Sequence, residues 1–554
     1  MIASPDKASV VKLINGIDAA TYVTDLIMPV TYNQDPDAAY NSMFYQLASF
    51  AVEGGEGYFK ASGRSRFIYP GPNTTFTFEN KTVVTFENQA TVKKNMTGVV
   101  DGASYYAKFC EVSDDDDEES SIASTAEPEQ LVAVPGYPKP VIITEDASVS
   151  GYYLEGAGYE DVAVISLLDF MPSSTVDFQA VCQDFLAEAV AAGKTKLIVD
   201  LQQNGGGYIL QGYDFFRQLF PSIEQDGFSR WRANDAFLAM SSIVSARVAD
   251  VNPHTESDEV LVDASEWSFN WRYDLNLTNE PFRSFDDKFG PRRHRGADYT
   301  ALMRWNLDNN LTTTNETHGM GIDITGYGAL TADVVDQPFA ADDIMLLYDG
   351  ACASTCALVA EMLRIQAGVK SVAMGGRPSH KGRIQGVGGV KGAQVLDFDD
   401  IQDFARQYAG FAGATPEQVK ELGRLGDLPI RRSTAAAVNV RDQILRDNVD
   451  DGVPAQFVVE ESDCRLFWTA DMHRDVSAVW RAVADAAWKG GRCAAGSVDA
   501  GNGGGGNHKE KKRKQAKKRL PPRERRSDVA RRLRHGPDVH DPAWEAVHVL
   551  KAIP

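Results

Sequence analysis

Ser354 stands among small residues in Tyr348-Asp-Gly-Ala-Cys-Ala-Ser-Thr-Cys356, directly after an apolar run and directly before a helical one. A serine on such a strand-to-helix turn can project its hydroxyl from a sheet edge. The helix N-terminus then offers free N–H groups and a positive dipole end to an oxyanion formed there. The same placement also suits a plain helix N-cap, for which serine is among the favoured residues. A second stretch, Asp200-Leu-Gln-Gln-Asn-Gly-Gly-Gly207, sets consecutive glycines after another strand. There a backbone N–H can approach a carbonyl oxygen with no Cβ in the way. Together the two stretches would supply a nucleophile and an oxyanion donor, which are the parts of an acyl transfer.

A serine hydroxyl is a weak nucleophile and needs a base within hydrogen-bond reach. The chain has nine histidines, the first of them His254, so residues 1–253 offer none. A desolvated lysine of lowered pKa can also take a proton. A lysine beside a glycine-rich turn is more commonly just solvated. Glu460, Glu461 and Asp447 follow the serine helix and are candidates for an acidic third member, with no motif to single one out. Cys352 and Cys356 flank the serine and read as small buried fillers, since a thiol nucleophile would need its own histidine. Cys110, Cys182, Cys464 and Cys493 could form up to two disulfides in three connectivities. No Cys-x-x-Cys or His-x-x-x-His spacing suggests zinc, and no cofactor is expected.

The elements that must position these residues follow an alternating pattern from Asp161 onward. Val162–Leu168 reads as a buried strand, Thr175–Ala192 as a helix, Lys196–Leu201 as a second strand and Tyr208–Phe220 as a second helix. After an insertion at 222–340 with many Trp and Asn, read as a lid over the domain, Ile344–Tyr348 is a strand, Cys356–Gln366 a helix ending at Gly368, and Ser371–Met374 another strand. The fold class is therefore α/β. Residues 1–110 alternate short β-branched runs with turns and predict a mostly β module. The stretch 111–145 begins with Ser113-Asp-Asp-Asp-Asp-Glu-Glu-Ser-Ser121 and reads as a flexible acidic linker. The core then spans 146–500, and 501–554 is a low-complexity basic tail.

Asp200-Leu-Gln-Gln-Asn-Gly-Gly-Gly207 resembles the Asp-Leu-Arg-x-Asn-x-Gly-Gly signature of S41 (tail-specific protease type) peptidases, with Gln202 in place of the arginine. Gly350–Ala357, Val372-Ala-Met-Gly-Gly-Arg-Pro378, Ile384-Gln-Gly-Val-Gly-Gly-Val-Lys-Gly392 and Asp463-Cys-Arg-Leu-Phe-Trp-Thr469 resemble the fungal subgroup related to the chlamydial protease-like activity factor. The resemblance spans about residues 9–500. It implies a crotonase-like ββα peptidase core preceded by a PDZ-like β module, represented by Val11-Lys-Leu-Ile-Asn-Gly16, and a serine endopeptidase activity. By carry-over Ser354 is the nucleophile, and the N–H groups of Gly206 and Thr355 form the oxyanion hole. The related protease takes its histidine from before the PDZ-like module; bacterial members of the family use a lysine instead, and the resemblance puts Lys381, in Ser379-His-Lys-Gly-Arg-Ile-Gln385, roughly in its place as an alternative base. The missing histidine leads to the expectation that the true N-terminus, with a signal peptide, precedes Met1. Similar fungal proteins belong to clusters for ustiloxin- and phomopsin-type cyclic peptide mycotoxins, which suggests trimming of a ribosomal precursor peptide. The other reading is a catalytically incomplete paralogue that binds a peptide or ligand.

With 554 residues, of which 43 % are hydrophobic and 24 % charged, the chain is long enough for two or three domains. Between Lys509 and Arg534 fourteen Lys/Arg face three acids, so that stretch carries +11 and the remainder −32 of the net −21. An acidic body argues against nucleic acid as partner, because phosphate binding needs a basic surface. No apolar window is long enough to span a membrane. The expected partner is a peptide or protein substrate, and a homodimer is compatible. Six Asn-x-Ser/Thr sequons (Asn73, Asn80, Asn95, Asn276, Asn310, Asn315) and an even cysteine count point to the secretory pathway or the extracellular space.

Overall fold

The computed structural model describes residues 9–53, 68–89, 95–110, 134, 136–331, 336–378, 386–426, 436–495 and 497. Most of the expected linker, the tail from 501 and Lys381 lie outside them.

The strands in chain order are β1 (Val11–Ile14), β2 (Ile17–Asp18), β3 (Asn73–Phe78), β4 (Val83–Glu87), β5 (Ile142–Ile143), β6 (Val149–Tyr153), β7 (Val162–Leu167) and β8 (Lys196–Asp200). They continue with β9 (Ser229–Trp231), β10 (Arg292–His294), β11 (Ala297–Tyr299), β12 (Ile344–Tyr348), β13 (Lys370–Met374), β14 (Gln394–Asp397), β15 (Ala437–Gln443) and β16 (Cys464–Leu466).

A seven-stranded sheet in the order β16-β13-β12-β8-β7-β6-β5 forms the centre. The strands from β16 to β7 run parallel, and β6 and β5 close the edge antiparallel. Every residue of β7 and β12 is buried, as expected of parallel strands covered on both faces. Side chains alternate between two cores. Ala163, Ile165 and Leu167 point to one that holds Phe178 and Phe185 of the helix Thr175–Ala191 and Phe215 of the helix Ile209–Leu219. Val162, Val164 and Leu347 point to the other, which is filled by Trp480 of the helix Val476–Trp488. The expected strand and helix pattern around Ser354 is reproduced to within one or two residues. One exception is the serine helix, whose α-helical part ends at Glu361 and continues as a π turn over Met362–Gln366.

The N-terminal module differs from the mostly β expectation. Its sheet, β2-β1-β3-β4, is accompanied by helices Ala19–Ile27, Pro36–Asn41, Leu47–Glu53 and Gly102–Phe109. The reason is local capping: Asp18, Asp35 (with Pro36 following) and Asp101 each start a helix. Packing of Val23 and Ile27 against Ile14 then outweighs their β propensity.

Residues of the 222–340 stretch do not pack alone. β9 pairs with β15, which pairs with β14, and Trp231, Phe237 and Phe269 share one core with Leu396, Ala405 and Tyr408. Beside that core lies an ion cluster with no solvent contact. Asp274 takes Arg441 Nη2 at 2.9 Å and Lys288 Nζ at 2.7 Å, and the Arg441 guanidinium also lies 4.3 Å from the Trp305 ring centre.

Candidate active site

β8 and β12 are neighbours in parallel, with Leu347 opposite Asp200, so the turns that follow them emerge side by side. On the β8 side Asn204, fully buried, organises the glycines. Its Nδ2 donates to the Leu167 carbonyl at 2.9 Å and its Oδ1 accepts the Gly206 N–H at 2.9 Å. Gly206 and Gly207 follow with φ of +107° and +132°, a conformation that side chains resist. A Cβ on Gly206 would stand 2.6 Å from the Ser354 Cβ and 2.9 Å from the Thr355 nitrogen. Glycine at 206 thus keeps the space beside the serine open.

On the β12 side Ser354 has φ 49° and ψ −121°. A non-glycine residue held there is strained, and such outliers gather where a side chain must be aimed. The conformation is fixed from several directions. Ser354 N–H donates to the Val390 carbonyl at 2.8 Å, Ala353 N–H to the Asn204 carbonyl at 3.3 Å, and Thr355 Oγ1 to the Gly207 carbonyl at 2.6 Å. Cys352 and Cys356, expected as fillers, are buried and form a disulfide that brackets the turn. Cys464 and Cys493 form the other disulfide, and Cys110 and Cys182 remain thiols. The serine begins the helix Thr355–Glu361, yet its side chain makes no capping hydrogen bond. The plain N-cap role is therefore unfilled, and Ser354 lines a cavity of about 360 Å³ together with Gly205, Gly207, Ala353 and Val390.

Of the two expected oxyanion donors, Thr355 is the first residue of its helix, so its N–H has no partner within the helix. The Gly206 N–H is already given to Asn204 Oδ1. In this state Gly206 shapes the space beside the serine, and Thr355 holds the unshared N–H.

Two buried carboxyls lie beneath these turns. Asp349, at the end of β12, accepts the Ala351 N–H at 3.0 Å and the Gln203 N–H at 3.1 Å, so it ties the two turns together. Burial raises its pKa, against the pull of those hydrogen bonds. Asp200 is pushed up to about 6, again chiefly by burial, although Trp480 Nε1 donates to it at 2.8 Å and Gln202 Nε2 at 3.2 Å. Gln202, in the place of the signature's arginine, brings a hydrogen bond to Asp200 and no charge.

Lys381, the expected base, lies outside the described residues, and the candidate acids are not brought to the serine. No histidine, lysine, arginine or glutamate is among the described residues lining the cavity. Glu460 is buried and paired with Lys391 Nζ at 2.9 Å, while Asp447 is exposed on a 3-10 turn. Neither they nor Glu461 line the cavity.

Sequence reasoning missed the opposite wall. Tyr32, Asn33, Ala38, Ser42, Phe44 and Gln46 of the N-terminal module line the cavity. They are anchored by Asn41, whose Nδ2 donates to the carbonyls of Asp349 and Met374 at 2.8 and 2.9 Å and whose Oδ1 accepts the Gly376 N–H at 2.6 Å. Asp37 adds an ion pair to Arg377 at 2.8 Å. The Asp35-Pro36 helix start was the available signal.

The family described as CPAF-like PDZ domain matches residues 1–97. The peptidase S41 family protein ustP of Aspergillus flavus is 31 % identical over 460 residues, covering 77 % of this chain and 91 % of the relative. The chain belongs to the S41 peptidase family. A second S41 relative, phomP1 of Diaporthe leptostromiformis, is 28 % identical over 537 residues, covering 86 % of this chain and 76 % of its own length. Among solved structures, mature CPAF complexed with lactacystin overlaps 86 % of this chain and 76 % of its own with 13 % identity and a TM-score of 0.43. This S41 chain has the expected α/β core, and a PDZ-like module precedes it.

Proposed function

We propose that this S41 chain is a serine endopeptidase that attacks peptide bonds through Ser354 Oγ, forming an acyl-enzyme that water then hydrolyses. The observation that carries the reading is the strained, uncapped Ser354, which lines a cavity beside the first N–H of its helix, that of Thr355. The Thr355 N–H would hold the oxyanion, and a flip of the Gly206 amide away from Asn204 would add a second donor. Labelling of the wild type by a fluorophosphonate, and its absence in Ser354→Ala, tests the reading. Failure of the wild type to label sinks it. For the base the sequence offers Lys381, and Lys381→Ala with unchanged labelling removes that assignment.

The natural substrate in this reading is a ribosomal precursor peptide of a cyclic mycotoxin, supported by the likeness to the fungal S41 proteins ustP and phomP1. Cleavage of such a precursor between its repeats by the purified chain is the test. We place the protein in the secretory pathway, a reading supported by two disulfides and by exposed sequon residues Asn73, Asn80, Asn95 and Asn310. A mobility shift on enzymatic deglycosylation of the fungal protein would support it. The second reading, a peptide-binding paralogue without catalysis, draws on the lack of a base among the described cavity residues. It predicts peptide binding by a wild type that no serine probe labels.

A further inference from the structure

Asp169 is the one carboxylate among the described residues of the Ser354 cavity, and no lysine, arginine or histidine stands with it. It lies two residues past the end of β7, and its place beside the serine is fixed by backbone. Phe170 N–H donates to the Gly206 carbonyl and Tyr208 N–H to the Phe170 carbonyl, both at 2.8 Å. Gly206 in turn lies against Ser354. Asp169 is therefore one strand spacing from the glycine turn that flanks the nucleophile.

Its hydrogen bonding is incomplete. Oδ1 accepts the Met171 N–H at 3.0 Å, and no ion pair engages the group among the described residues. It is half-buried, and burial raises its pKa against the pull of the Met171 and Phe170 N–H groups. The cavity also presents Phe44, Met171 and Tyr208, each large and about two-fifths exposed at 39, 42 and 41 %. An apolar wall ending in a lone carboxylate matches a side chain with an aliphatic stem and a cationic head, since such chains lay their methylenes on apolar surface and carry the charge beyond it. The −32 carried outside the basic tail would also draw cationic peptides toward the molecule.

We propose that Asp169 is a specificity residue that selects peptides with a lysine or arginine next to the scissile bond. The inference rests on the peptidase reading for its meaning in catalysis, but peptide binding tests it separately. In the Ser354→Ala protein, fluorescence anisotropy would compare an eight-residue peptide carrying one lysine with its norleucine counterpart. The lysine peptide is expected to bind about 10- to 100-fold tighter, the range of a charge-assisted hydrogen bond. Adding Asp169→Asn should bring the two within about threefold, and Asp169→Lys should turn the preference toward a glutamate peptide. Equal binding of the lysine and norleucine peptides overturns the proposal. So does a lysine preference that survives Asp169→Asn, or failure of either peptide to bind. Where the wild type also cleaves, bonds cut in a mixed peptide library should show lysine or arginine enriched at one fixed position, lost with Asp169→Asn. Fluorophosphonate labelling without that enrichment overturns the specificity role and leaves the peptidase reading standing.

Discussion

Asp274 and Asp200 are both carboxyl groups without contact to solvent, yet they are held in opposite ways. Asp274, in the inserted region, meets two full positive charges, Arg441 and Lys288. Burial would raise its pKa, but Arg441 and Lys288 together outweigh it and hold the group below its usual range. Burial draws Lys288 down to about 8 while Asp274 works against the fall, so the lysine keeps its proton at neutral pH. Asp200, below the serine turn, meets only the neutral donors Trp480 and Gln202 and is left near 6, with Asp349 raised beside it. The inserted region is thus built for a fixed charge arrangement. The floor of the site tolerates uncompensated carboxyls and a strained serine, costs that a purely structural region would have little reason to carry.

The contrast is broken most severely by Asp274→Ala. Two buried cations would lose their counter-charge, and unfolding in urea should show a loss of about 3–5 kcal/mol. Next in size, Gly206→Ala places a methyl against Ser354 and Thr355. It should slow fluorophosphonate labelling by about 100-fold or more, the scale of a lost oxyanion donor, and out of proportion to any change in the urea midpoint.

The two disulfides sharpen the same comparison. Cys464–Cys493 closes a longer loop than Cys352–Cys356, so by loop entropy their removal should cost about 3.5 and 2 kcal/mol respectively. Replacing Cys352 and Cys356 with alanine should nevertheless slow labelling more, because that pair brackets Ser354. Equal slowing by the two double variants would show that the bracket does not aim the serine.

The smallest effect concerns pH. The Asp200 carboxyl holds its proton more tightly when folded, at about 6 against 3.8. Its contribution is therefore complete below about pH 4, lost as pH rises to 6 and flat above. Asp274 works in the other direction, with its contribution present above its unfolded value and lost as pH falls through the lower folded one. Asp200→Asn should remove most of the pH dependence of the urea midpoint between about pH 4 and 6 and leave the acid limb intact.

The strands and helices around the serine were legible because parallel strands covered on both faces appear as unbroken apolar runs, such as Ile344–Tyr348. Ser354 and the glycine turn were legible because chemistry at a strand end demands small residues there. The cavity's second wall was hidden, since Asn41 acts through carbonyls more than 300 positions away and only the Asp35-Pro36 helix start marks its segment. The helix Ala19–Ile27 carries enough β-branched residues, Thr21, Val23, Thr24 and Ile27, to look like a strand until its Asp18 cap is weighed. The Cys352–Cys356 pairing was obscured by spacing so short that burial alone explained both residues.

Asn41 also bears on how the protein can be divided. One amide fastens the N-terminal module to the ends of β12 and β13 and to the Gly376 N–H, while Gln34 and Asp35 N–H groups reach the Gly388 carbonyl. A core cut free at residue 146 would expose that row of backbone groups to water and lose one side of its cleft. The smallest working unit therefore includes the module, which cannot be exchanged for another as a detachable adaptor unless the replacement carries the same asparagine clasp.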